Sequence, residues 1–175
     1  FNQALLAHAL GKLENADIKT ETFSFREDPL PMYDGDLEKE EGIPDTALKL
    51  RAVVLAADGI VMACPEYNAS ITPLLKNALD WGSRKDEESG QGNVWMGKPV
   101  LLLSASPGAL GGVRSLRVVR EVLVELQAHV MPQQVAVPGA GQMFGEDGEL
   151  ANERSRSFLS SSLDEFQRYV RRFQG

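Results

Sequence analysis

The chain has 175 residues, 43% of them hydrophobic and 25% charged, a composition that suits one domain with a single sizeable core and leaves no room for extensive disorder. Its formal charge of −7 disfavours nucleic acid and anionic membranes as partners, because the average field repels both. Cys64 is the only cysteine, which excludes an internal disulfide, and the longest apolar runs are far shorter than a membrane span; a reducing cytoplasm is the expected compartment.

Leu5, Leu6, Ala9, Leu10 and Leu13 recur at helical spacing, so the chain opens inside a helix that runs to Leu13. Ile18 to Phe25 alternates apolar and polar side chains and is rich in β-branched and aromatic types, the pattern of a short strand. Asp28 to Pro44 carries Pro29, Pro31, Gly35, Gly42 and Pro44 among many acids and reads as a solvent-facing loop. Asp45 is then in position to cap a helix to about Ala56, with Ala47, Leu48, Leu50 or Arg51, Val54 and Leu55 on its apolar face.

Gly59 to Cys64 is an unbroken apolar run bounded by Asp58 and Pro65, as expected of a strand buried on both faces. A helix over about 72–81 follows, then a polar loop over 82–92, then a second buried strand at Val100 to Leu103. Gly112 to Gln127 has Val113, Leu116, Val119, Val122, Leu123 and Leu126 on one side and reads as a strong helix. Val130 to Val137 supplies another strand, with Pro132 as a point of interruption, and a helix from about Glu149 to Phe173 closes the domain. Strands alternating with helices make a parallel sheet covered on both faces, an α/β fold of three layers, because each parallel connection crosses the sheet through a helix. His8, His129 and Cys64 stand apart from one another, so no metal-ligand spacing appears.

In open parallel sheets ligands bind beyond the carboxyl ends of the strands, which directs attention to two segments. Pro65 to Trp81 leaves a buried strand through a proline and enters a helix, exposing backbone groups at Glu66 to Asn68 where a flat polar ring could lie, with Tyr67 as a wall. Ser104 to Arg114 contains Gly108, Gly111 and Gly112, which allow close backbone approach just before a helix start, and Ser104 and Ser106 add hydroxyls.

Pro65 to Arg84 closely resembles the signature of the NADPH-dependent FMN reductase family, which includes chromate, quinone and azo-dye reductases, and Ser106 to Arg114 is similar to that family's second flavin loop. The resemblance covers almost the whole chain. It implies a flavodoxin-like fold with sheet order 2-1-3-4-5, FMN held mainly by backbone at Pro65, Glu66, Tyr67 and Asn68, and further contact around Ser104, Ser106 and Gly108. It also implies a homodimer or homotetramer and a cycle in which hydride passes from NAD(P)H to the flavin and on to a small acceptor. No catalytic side chain is implied, since the flavin carries the redox chemistry. A flavodoxin-type electron carrier and a flavin-free scaffold subunit are the competing readings.

Family members begin with a strand and a phosphate loop of the form Gly-Ser-x-Arg-x-x-Ser-x-Asn, of which Asn2 matches the closing residue. The first strand and most of the phosphate site are therefore expected upstream of Phe1. Other residues have plainer readings: Cys64 as a small buried hydrophobe, His8 on the exposed side of its helix, Asp34 to Glu41 as a solvated stretch, and Asn77 and Asp80 as loop and helix-end ligands. Arg114 reads as a solvated helix-start arginine, an anchor for the NADPH phosphate or a contact to a neighbouring subunit, and Trp95 and Met96 as a flavin cover or interface filler.

Overall fold

The computed structural model describes residues 1–27, 29–145 and 148–173. Three parallel strands, β1 (Ile60–Ala63), β2 (Pro99–Ala105) and β3 (His129–Val137), lie side by side in that order. β2 is central and completely buried, and its alternate side chains feed two separate cores. Leu101, Leu103 and Ala105 meet α1 (Asn2–Glu14) and α7 (Glu153–Arg171) through Leu5, Ala9, Leu159, Leu163 and Phe166. Val100 and Leu102 join Leu50 and Val54 of α3 (Asp45–Ala56), Leu79 of α4 (Pro73–Ser83), and Leu116, Val119 and Leu123 of α5 (Val113–Glu125). The three-layer α/β architecture is thus the one the strand and helix alternation requires.

Four expectations are corrected. Ile18 to Phe25 is not a strand: it has the side-chain alternation but, among the described residues, no neighbouring strand to ladder with, and its backbone runs irregularly. Ile18 packs on the α1/α7 side and Phe23 and Phe25 on the other, with those two rings edge to face at 5.2 Å. β1 is not buried on both faces; it forms the sheet edge among the described residues, and Ile60 to Ala63 are only half-buried. Among the described residues the sheet has three parallel strands in sequential order, which correspond to the last three of the expected 2-1-3-4-5 order.

Third, the acidic stretch contains a helix, α2 (Gly35–Glu41), where a loop was expected; Asp28, the first residue of that expected loop, lies outside the described residues. The Asp34 carboxylate accepts from the amides of Asp36 and Leu37, and Gly42, at φ +80°, ends the helix. Fourth, Asp45 does not cap α3 with its side chain. It stands in the first turn, where its charge faces the positive end of the helix, and Pro44 precedes it.

The interruption at Pro132 is real. Val100 pairs with Val130 but Leu102 with Gln134, so β3 spends two extra residues around the proline, which has no amide to offer β2. The short helix α6 (Ala140–Met143) follows β3 and closes the carboxyl end of the sheet.

Candidate functional site

The carboxyl ends of β1 and β2 lead into two adjoining loops. The first begins at Cys64, whose amide still donates to the Leu103 carbonyl. Beyond it, Tyr67 and Ser70 exchange both backbone hydrogen bonds at 3.0 Å around Asn68 and Ala69, which have φ of +50° and +64°. This is a turn with both central residues left-handed, a conformation that asparagine tolerates and alanine resists. Ala69→Gly should accordingly raise stability by about 1 kcal/mol, read as a shift in the denaturation midpoint. An unchanged midpoint would show that the turn is not strained.

α4 starts directly after this turn. The Thr72 hydroxyl accepts from the Leu75 amide and Pro73 occupies the first helical position, a sequence-encoded start. Asn77 and Trp81 are buried on this helix and both donate to the Pro31 carbonyl at 2.8 Å, while the Asn77 side-chain oxygen accepts from the Tyr33 amide. The expected role of Asn77 as a loop ligand is what the structure shows. Asp80 pairs with Lys76 on the helix surface.

The second loop runs from Ser104 to Gly112. Gly111 and Gly112 have φ of +60° and +88°, and each is crowded: a Cβ on Gly111 would lie 2.7 Å from the Pro138 nitrogen, and one on Gly112 1.9 Å from the Ser104 hydroxyl. Only glycine fits either place. The Ser106 amide donates to the Val137 carbonyl, the Ser106 hydroxyl accepts from the Gly108 amide, and the Gly108 carbonyl accepts from the amides of Gly111 and Gly139. The loop is thereby fixed to the end of β3, with Pro107, Gly108, Ala109 and Leu110 left exposed.

The nominated residues fall into two groups. Pro65, Glu66, Tyr67, Asn68, Ser106 and Gly108 lie together at this end of the sheet, and Tyr67 is 61% exposed. Ser104 and Asn2 are in the same region but occupied. Ser104 is fully buried and donates to the Cys64 carbonyl at 2.7 Å, supporting the first loop from beneath. The Asn2 side chain makes both hydrogen bonds with the Ala105 backbone, at 2.8 and 2.9 Å, and so holds the start of α1 against the end of β2. Cys64 is wholly buried, and burial pushes its thiol up to about 12, in keeping with a structural residue. His8 is not free on the surface; it bonds Glu149 at 2.8 Å. Trp95 lies beyond α4, on the segment that leads into the start of β2, where its ring packs on Gly82 and its indole donates to the Leu79 carbonyl. It is therefore distant from the two loops.

Sequence reasoning missed two side-chain anchors. Arg51 is buried on α3 and donates to the carbonyls of Gly82, Arg84, Gln91 and Gly92, fastening the segment after α4. The Glu66 side chain is 7% exposed and pairs with Arg114 at the start of α5. Arg114 and the Ser115 amide hold the Glu66 carboxylate below the ordinary carboxylate range. The contact is complete at neutral pH and is lost only as acid protonates Glu66, below the usual titration of a glutamate. An acidic residue after one strand and a basic one at the next helix start was the available signal.

These loops fit a flavin. The backbone amides of Glu66 and Asn68 have no partner among the described residues and present donors at the strand end, next to the exposed Tyr67 ring. Such groups match the hydrogen-bonding edge and flat face of an isoalloxazine.

Fold and site together define a flavodoxin-like flavoprotein. The family model for NADPH-dependent FMN reductase matches residues 1–142, and the chain belongs to that family. It is similar to a quinone reductase of Escherichia coli K12, 34% identical over 98% of this chain and 89% of the relative. It is also similar to an NAD(P)H-dependent FMN reductase of Pseudomonas aeruginosa, 32% identical over the whole chain and 90% of that protein. Among solved structures, FerB of Paracoccus denitrificans, a flavoenzyme NAD(P)H:(acceptor) oxidoreductase, superposes with a TM-score of 0.81 at 25% identity over 98% of this chain and 90% of its own. The chain is thus an oxidoreductase whose chemistry joins FMN and NAD(P)H, which sets aside the electron-carrier reading. Among the described residues no helix is long and apolar enough to cross a membrane.

Proposed function

We propose that this protein passes electrons from NAD(P)H through FMN to a small quinone-like acceptor, with donor and acceptor using the same open face in turn. The observation that carries the reading is the pair of loops at the carboxyl ends of β1 and β2, with free backbone amides at Glu66 and Asn68 beside an exposed Tyr67. Pro65 to Asn68 would hold the pyrimidine edge of the flavin, Tyr67 would form a wall, and Ser106 and Gly108 would close the other side. Asn2 and Ser104 would support these loops from behind through the Ala105 and Cys64 backbones. When bound, FMN supplies hydride acceptance and its onward delivery to the acceptor.

The chain's own residues orient and enclose; none is needed as an acid or base. The apolar side chains of Tyr67, Leu74 and Leu110, exposed around this end of the sheet, support a homo-oligomer in which a second copy walls the acceptor site. The quinone relatives favour a flat acceptor over an ionic one.

The test is an anaerobic visible spectrum of the protein with FMN, before and after one equivalent of NADPH and again after a benzoquinone. Bleaching by NADPH and recovery with quinone are expected. A flavin that bleaches but is not reoxidised by quinone would sink the choice of acceptor, and one that never bleaches would sink the cycle.

A further inference from the structure

The Glu66 carboxylate makes four contacts with the start of a different helix. Its Oε1 accepts from the Arg114 guanidinium through Nε at 2.8 Å and through Nη2, and its Oε2 accepts from the amides of Arg114 at 3.1 Å and Ser115 at 3.4 Å. One side chain of the first loop therefore caps α5, whose preceding residue, Gly112, has no side chain to do so. The position is favourable for an anion, since both the guanidinium and the helix end are positive. The Cys64 carbonyl, two residues earlier, accepts hydroxyls from Ser104 and Ser115. The backbone of Glu66 to Asn68 is thus fixed to the β2–α5 loop through polar groups on both sides of Pro65.

From this geometry we infer that the Glu66 carboxylate is a positioning residue that locks the first loop to the start of α5 and so sets the spacing of the two walls of the flavin site. It touches no reacting atom. The inference rests on the reading of these two loops as the FMN site. It assigns the glutamate's side chain a task separate from that of its backbone, and gives Arg114 a partner within its own chain.

The experiment compares the wild-type chain with Glu66→Ala and Glu66→Gln by amide hydrogen exchange without FMN and by fluorescence titration with FMN. In Glu66→Ala the Arg114 and Ser115 amides and the Tyr67–Ser70 turn should exchange faster, and FMN should bind about tenfold more weakly, a change readily resolved by titration. Glu66→Gln, which keeps an acceptor for the amides but loses the charge, should recover part of both effects. Arg114→Gln, which leaves the capping amides in place, should weaken FMN less than Glu66→Ala and serves if the alanine variant does not fold.

Unchanged exchange in Glu66→Ala would overturn the lock whatever happens to flavin. Faster exchange with unaltered FMN affinity would overturn the positioning role. Failure of the wild-type chain to bind FMN would instead overturn the reading of the site and the positioning role with it, while the exchange data would still decide whether the two loops are locked.

Discussion

Gly112→Ala is expected to destabilise the protein by about 3 kcal/mol, the sum of two separate costs. Left-handed backbone at φ +88° penalises an L side chain by about 1 kcal/mol. The new methyl would also meet the Ser104 hydroxyl at 1.9 Å and its Cβ at 2.8 Å, an overlap that forces the loop or β2 to move, typically costing about 1–3 kcal/mol. Ser104 cannot simply turn away, because its hydroxyl bonds the buried Cys64 carbonyl. A urea midpoint checks the magnitude. Adding Ser104→Gly removes both clashing atoms and should recover the packing cost but not the backbone cost. Simple additivity of the two substitutions would refute this account.

Arg51→Met is the second large effect, with an expected loss of about 3 kcal/mol, because removing a buried cation strands the groups it satisfied. Arg51 reaches the Gly82 and Gly92 carbonyls at 3.0 Å and that of Gln91 at 2.8 Å, and also bonds Arg84. Burial lowers the guanidinium's affinity for its proton, yet an arginine stays charged at any ordinary pH. Methionine preserves the stem and deletes the donors. Trypsin should cleave after Arg84 and Lys85 faster in the variant, and Arg51→Lys should restore less than half of the stability, since an ammonium cannot span four carbonyls in a planar fork. Equal cleavage rates in wild type and Arg51→Met would contradict the fastening role.

The alternation of strands and helices was legible because each buried strand is a continuous apolar run and each helix carries a stripe. The β2 run, Val100 to Leu103, is buried on both faces, as its composition requires. Ile18 to Phe25 failed for the reason local patterns fail: alternation reports which side chains face a core, whereas a strand also needs a backbone neighbour, and that neighbour is not encoded in the segment. β1 shows the same dependence from the other side, half-buried where β2 is its one neighbouring strand among the described residues. α2 was hidden among the prolines and glycines around it, although Asp34 and Gly42 mark both ends.

The site was legible as two loops, because glycine and proline record backbone demands directly. Which hydroxyls face outward was not. Ser104 and Ser106 lie two residues apart, yet one is sealed beneath a carbonyl and the other caps its own turn, a difference set by where β2 ends. Long-range pairs such as Glu66 with Arg114 depend on a loop after one strand meeting the start of a helix after the next, which no spacing within one segment can reveal.

The burial of Cys64 has a chemical consequence should the acceptor be the proposed quinone. Quinones are electrophiles as well as oxidants, and they add to thiolates. The only thiol in the chain stands one residue before Pro65, close to where such a substrate would turn over, but it is sealed from solvent and titrates at about 12. Burial disfavours the charged thiolate, so the group stays protonated at neutral pH. If the acceptor is the quinone proposed above, the packing of this strand end shields Cys64 from arylation by it.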